Sequence, residues 1–145
     1  MSIAALDLGR RRIGVAVTDA AAMGAYPVGI VERRALKQDL KAIAAMLGDR
    51  RVSTIVVGLP LNMDGSEGTA ALSARKFAAH LALELRVTFE MFDERLTSFE
   101  ARDRLADMPA RRGARKTGID ALAAVVILEG WMQAHPDKIP RGDGG

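Results

Sequence analysis

Four acidic side chains stand where a carboxylate is costly or directional. Asp7 interrupts the apolar run from Ile3 to Leu8. An ionised carboxylate in such a run is expensive unless something pairs with it, so Asp7 reads as a metal ligand or as a salt-bridged acid at a strand end. Asp93 and Glu94 are neighbours after another apolar stretch. Extended backbone sends adjacent side chains to opposite sides, so one of the two faces a site shared with Asp7, unless both cap the next helix or pair with Arg95. Asp120 follows Thr117 by three residues, the spacing of a capping pair in the first turn of a helix. The same turn equally aims a carboxylate at Asp7. Three carboxylates, no cysteine and only two histidines suit a hard, oxygen-seeking ion, Mg²⁺ or Mn²⁺, better than zinc. Two such ions about 3.5–4 Å apart activate a water and stabilise a leaving oxygen with shared carboxylates alone. His80 and His135 read as surface residues rather than a general base.

The cations are grouped. Net charge is only +3, yet Arg10, Arg11 and Arg12 form one cluster and Arg111, Arg112, Arg115 and Lys116 another. Clustered cations suit a polyanion, because each phosphate contact releases condensed counterions; either cluster alone also reads as a solvated surface. Aromatic residues make up 4% of the chain, too few for base stacking to dominate binding. The stretch from Gly58 to Gly68 is glycine-rich and precedes a helix, so its backbone N–H groups are placed to receive a phosphate. No Gly-Lys-Ser/Thr follows, which excludes a Walker loop.

The elements that must position these residues fit one domain of 145 residues, 49% hydrophobic and 27% charged, enough chain to bury a real core. Ile3–Leu8, Ile13–Thr18 and Tyr26–Val31 read as strands joined by short turns, hence antiparallel. Leu36, Leu40, Ile43, Ala44 and Leu47 fall at helical spacing, with Gly48 as the stop. A buried strand follows over Ser53–Leu59, then a helix marked by Ala74, Phe77, Ala78, Leu81, Ala82 and Leu85, and a strand through Val87, Phe89 and Met91. Thr97 and Glu100 have capping-box spacing for a short third helix. Pro109 to Gly118 reads as a mobile basic loop, and a final helix opens at Ile119. Residues 1–134 are expected to form the domain and 135–145 a flexible C-terminal tail. The first residues lack a signal peptide's basic start, and no apolar run approaches the roughly 20 residues of a membrane span. With no cysteines, a cytoplasmic location is expected.

Two right-handed βαβ crossovers make the first, fourth and fifth strands parallel, while the second and third extend the sheet antiparallel on the other side. The expected fold is α/β, a mixed five-stranded sheet of order 3-2-1-4-5 with helices on both faces. Sites in such sheets form beyond the carboxyl ends of the parallel strands. Asp7-Leu8-Gly9, Pro60 to Thr69 and Asp93-Glu94-Arg95 all arrive there.

Four motifs in this order carry a resemblance to a known family. They are Asp7-Leu8-Gly9 with Arg12-Ile13-Gly14-Val15-Ala16-Val17-Thr18-Asp19; Val57 through Gly68; Asp93-Glu94-Arg95-Leu96-Thr97; and Lys116 with Ile119-Asp120-Ala121-Leu122-Ala123-Ala124. Over roughly Ile3 to Gln133 the chain resembles the YqgF/RuvX family of bacterial pre-16S rRNA nucleases, which are Holliday-junction-resolvase-like and ribonuclease H-like in fold. The resemblance implies that Asp7, Glu94 and Asp120 are the catalytic and metal-binding residues, with Arg12, Asn62, Arg95 and Lys116 holding phosphates. It implies Mg²⁺- or Mn²⁺-dependent hydrolysis of phosphodiester bonds at the 5′ end of pre-16S rRNA, with structured RNA as partner. The alternatives are cleavage of branched DNA and a non-catalytic RNA-binding factor in ribosome assembly or transcription. RNA trimming is compatible with a monomer; a resolvase favours a homodimer. An actin-like phosphotransferase would need two such domains around a cleft, and this chain has room for one.

Overall fold

The computed structural model describes residues 2–18, 24–97 and 112–138, with side chains from residue 121 onward in the last stretch. Three strands come first: β1 (Ser2–Leu8), β2 (Arg12–Thr18) and β3 (Ala25–Glu32). Helix α1 (Leu36–Leu47), β4 (Val52–Leu59), α2 (Thr69–Leu85) and β5 (Thr88–Asp93) follow, and a 3-10 turn over Glu94–Leu96 leads away from the sheet. The last helix, α3 (Arg112–Ala134), runs into a 3-10 turn over Pro136–Lys138. The sheet order is β3-β2-β1-β4-β5. β1 is antiparallel to β2 and parallel to β4, and β4 is parallel to β5. The expected α/β arrangement is thus observed.

Strand alternation sorts the sheet into two apolar faces. Ala4, Leu6, Ile13, Val15, Ile55 and Val57 pack against α1 and α2 through Leu40, Ile43, Phe77 and Leu81. Ile3, Ala5, Ala16, Val56 and Phe92 pack against α3 through Ala124, Ile127, Leu128 and Trp131. Asp7 has the parity of Ile3 and Ala5, and Gly58 that of Val56, so both positions belong to the α3 side of the sheet. Small residues there let α3 approach closely: an added Cβ at Gly130 would lie 3.0 Å from the Phe92 ring.

Helix α1 ends at Gly48, whose φ of 55° costs glycine little. Pro27 sits on edge strand β3, opposite Ala16 at a register shift, where a missing N–H is tolerated. Two local expectations are corrected. The final helix begins at Arg112 rather than near Ile119. Its two early glycines cost about 1 kcal/mol each, a penalty that a long helix packed on the sheet absorbs. The capping pair Thr117 and Asp120 therefore marks no helix start: residue 120 lies about two turns inside α3. After β5, the described chain forms the 3-10 turn with Asp93 as its N-cap and Thr97 at its end, the Thr97 hydroxyl donating to the Glu94 carbonyl at 2.9 Å. The helix expected after Thr97, and the tail beyond residue 138, lie outside the described residues.

Candidate active site

Asp7 is half-buried near the carboxyl end of β1. The turn after it is held tightly. The Gly9 N–H donates to the Arg12 carbonyl at 2.8 Å, and a Cβ on Gly9 would meet that oxygen at 2.7 Å. Arg33, just beyond β3, clamps the same turn. Its Nη1 donates to the Gly9 carbonyl and its backbone N–H to the Arg11 carbonyl, both at 2.8 Å. The Arg33 guanidinium also lies 5.6 Å from the centroid of the Phe77 ring on α2, a cation–π contact. Sequence reasoning missed Arg33; an arginine at a strand exit carries little signal by itself.

Glu94 opens the 3-10 turn and is half-buried. Its carboxylate lies over Gly58 on β4, where an added Cβ would collide with Glu94 Oε1 and come within 2.8 Å of Ile127 Cδ1 on α3. Gly58 was read as the start of a phosphate loop; in the structure its missing side chain makes room for Glu94. The Glu94 carboxyl is hydrogen-bonded to Asp7, and its pKa is pushed up to about 7. Burial is the largest cause, followed by the charge of Asp7, their hydrogen bond and the charge of Asp93.

Asp93 takes the other direction. The Arg95 fork closes on it, Nε at 3.0 Å from Oδ1 and Nη2 at 2.8 Å from Oδ2, and the Arg95 backbone N–H adds a bond of 2.9 Å to Oδ1. Hydrogen bonding to Arg95 holds the Asp93 carboxyl below its ordinary range, against the opposing effect of burial. The alternative left open by adjacency is thus resolved in geometry: Glu94 meets Asp7, and Asp93 pairs with Arg95.

The loop between β4 and α2 is knitted internally. Asn62 Nδ2 donates to Ser66 Oγ at 2.9 Å, the Asn62 N–H donates to the Ser66 carbonyl, and Asp64 Oδ1 accepts from both the N–H and the hydroxyl of Ser66. The Arg95 guanidinium nitrogens lie 3.7 Å from a Cβ built on Gly65, and the positive charge of Arg95 contributes to lowering the Asp64 pKa. Arg12, half-buried, opens β2 beside Asp7's turn. Lys116 and Asp120 are on α3, with side chains outside the described residues. His80 is exposed on α2, and His135 stacks on Trp131 with ring centroids 5.0 Å apart. Among the described residues no three acidic or histidine side chains gather as a metal-binding group; Asp7 and Glu94 supply two carboxylates.

A pH signature follows from this pair. Folded Glu94 keeps its proton to about pH 7, whereas glutamate ordinarily loses it near 4.5. Between these values the folded state binds the extra proton, so stability is fully present below the lower value and falls as pH rises through the upper one. Thermal melts in EDTA should show a melting temperature that drops from pH 5 to pH 8, with most of the slope absent in Glu94→Gln. An unchanged slope in that variant would assign the effect elsewhere.

Comparison with known proteins agrees with this architecture. The model of the RuvX family, described as "Holliday junction resolvase", matches residues 1–134. A relative from Myxococcus xanthus, named "Putative pre-16S rRNA nuclease", is 47% identical over 130 residues, covering 90% of this chain and 86% of its own. One of the same name from Anaeromyxobacter sp. (strain K) is 50% identical over 127 residues, covering 88% and 93%. Among solved structures, Thermus thermophilus RuvC superposes with a TM-score of 0.53 at 17% identity over 92% of this chain and 96% of its own. The fowlpox virus Holliday junction resolvase gives 0.55 at 10% identity over 92% and 99%. At such low identity these two share the fold alone, the ribonuclease H-like arrangement. On the family match across nearly its whole length and relatives close to half identical, this chain belongs to the RuvX family.

Proposed function

We propose that this protein is a divalent-metal-dependent nuclease that hydrolyses phosphodiester bonds in structured RNA, acting in the cytoplasm at the 5′ end of pre-16S rRNA, with residues 1–134 as its catalytic domain. The observation that carries the reading is the Glu94 carboxyl hydrogen-bonded to Asp7 at the carboxyl edge of the sheet. Two half-buried carboxylates in contact repel unless a proton or a cation lies with them, and hard oxygen donors fit Mg²⁺ or Mn²⁺. Residue 120 supports a third ligand: helical periodicity puts it one turn before Ala124 and two before Ile127 on one face of α3, and Ile127 reaches Gly58 beneath Glu94. The names of the relatives supply the substrate class.

In this site Asp7, Glu94 and Asp120 offer the oxygen ligands. When bound, the ion stabilises charge on the phosphodiester and lowers the pKa of a water. Arg12 and Lys116 neutralise the phosphate, and the Asn62 loop, seated against Arg95, orients it. Water oxygen joins phosphorus as the P–O3′ bond breaks, leaving a 5′-phosphate and a 3′-hydroxyl. Cleavage of a four-way DNA junction is the second reading, favoured by the family description and by a structural neighbour solved with a Holliday junction substrate. It would require a homodimer to cut two strands.

The test incubates purified protein with a pre-16S rRNA fragment and with a four-way DNA junction, each with Mg²⁺ or EDTA. Mg²⁺-dependent cutting of the RNA is expected, and Asp7→Ala or Asp120→Asn should abolish it while the circular dichroism spectrum stays native. Full activity in both variants would overturn the assignment; cutting of the junction alone would replace it with the second reading.

A further inference from the structure

Beyond the carboxylates, five exposed cations follow one another across the surface: Arg10 and Arg11 in the β1–β2 turn, Arg34 just before α1, and Lys37 and Lys41 on it. The bond from the Arg33 N–H to the Arg11 carbonyl at 2.8 Å joins the two segments, so Arg34 is set beside the turn. Lys37 and Lys41 stand on the exposed face of α1 one turn apart, about 6 Å along its axis. The acid within that stretch faces inward: Asp39 is only 3% exposed and accepts from the Arg34 N–H at 2.7 Å. Glu32 is exposed at the flank, across the strand pair from Arg12.

Several cations elsewhere are neutralised: Arg75 by Glu67 at 2.6 Å, Arg95 by Asp93, and Lys138 by Glu90 at 3.3 Å. Among the described residues none of the five ridge side chains has an ion-pair partner. The ridge therefore keeps its charge, is carried on a helix and a clamped turn, and starts beside Asp7. Uncompensated cations aligned on rigid elements suit a phosphate backbone. No aromatic side chain interrupts them, so they provide no platform for unstacked bases, the feature that single-strand binding requires.

We propose that this ridge holds the phosphate backbone of a double-helical RNA arm flanking the bond to be cut. The inference rests on the proposed nuclease function for its substrate class and gives that substrate a direction: the arm leaves the carboxylates over the β1–β2 turn and along α1.

Binding is measured without turnover, by fluorescence anisotropy in EDTA, with a labelled RNA hairpin duplex and a single strand of equal length, from 50 to 200 mM salt. Lys37→Glu with Lys41→Glu should weaken duplex binding about tenfold at the middle of that range. It should also flatten the slope of log K against log salt by roughly 1.5 to 2, since each phosphate contact contributes about 0.7–0.9. Lys76→Glu, on the exposed face of α2, should change neither. Wild-type affinity and slope in the double variant would overturn the ridge even if the wild-type protein cleaves RNA. An equal loss on the single strand would overturn its duplex assignment. A selective loss on the duplex in a protein that cleaves nothing would sustain the ridge and sink the nuclease reading, so the two fail separately.

Discussion

Glu94→Gln should lower Mg²⁺-dependent cleavage by a hundredfold or more, roughly the scale on which one preorganised charged group acts in a site, and should at the same time make the protein more heat-resistant at pH 8. Both effects have one cause. At pH 8 the wild-type Glu94 is mostly ionised, half-buried and in contact with Asp7, a state the fold disfavours enough to push its pKa up to about 7. Glutamine keeps the shape and the hydrogen bond to Asp7 and removes the charge. Discounted for partial solvent screening, the relief is about 1 kcal/mol, a few degrees in melting temperature. At pH 5, where both forms are neutral at this position, the difference should vanish. Single-turnover cleavage and scanning calorimetry at the two pH values check the pair. A variant that loses activity and stability together would show instead that Glu94 is a structural residue.

Gly58→Ala should be nearly as damaging to cleavage, with the opposite sign on stability. The new methyl would fall on the Glu94 carboxylate, 3.1 Å from its Cδ, and 2.8 Å from Ile127 Cδ1. Neither neighbour is a free chain end: Ile127 is 3% exposed in the α3 core, and Glu94 is tied to Asp7. Overpacking of this kind costs about 1–3 kcal/mol. A displacement of the carboxylate by about 1 Å is enough to lose roughly a hundredfold in rate. The expected result is a folded protein with a lower melting temperature and kcat reduced far more than KM. Wild-type kcat in a folded Gly58→Ala protein would place the working position of Glu94 away from β4.

The sheet was readable because its evidence is cumulative: short turns force antiparallel pairing and two helical crossovers force parallel pairing, leaving one order for five strands. Asp7 was readable because a carboxylate is conspicuous among Ile3, Ala4, Ala5 and Leu6. The choice between Asp93 and Glu94 was not. It is made by the Arg95 fork and by the 3-10 turn that ends β5, neither of which leaves a periodic trace in the chain. The start of α3 was misplaced because Gly113, Gly118 and the nearby Pro109 carry the composition of a loop, while the packing that stabilises the helix involves residues after Ala121. Gly58 was noticed for the wrong property: backbone N–H groups suggested a phosphate, whereas the deciding fact is the empty volume where a side chain would stand.

Arg33 touches three parts of the chain at once, the Gly9 carbonyl, the Arg11 carbonyl and the ring of Phe77. It thereby braces the turn after Asp7 against the helix that follows the Asn62 loop. A nucleic acid arriving at this edge meets a frame already assembled, and little of its binding energy goes into ordering the protein. Loosening that brace would tax affinity through entropy while leaving every charged group in place.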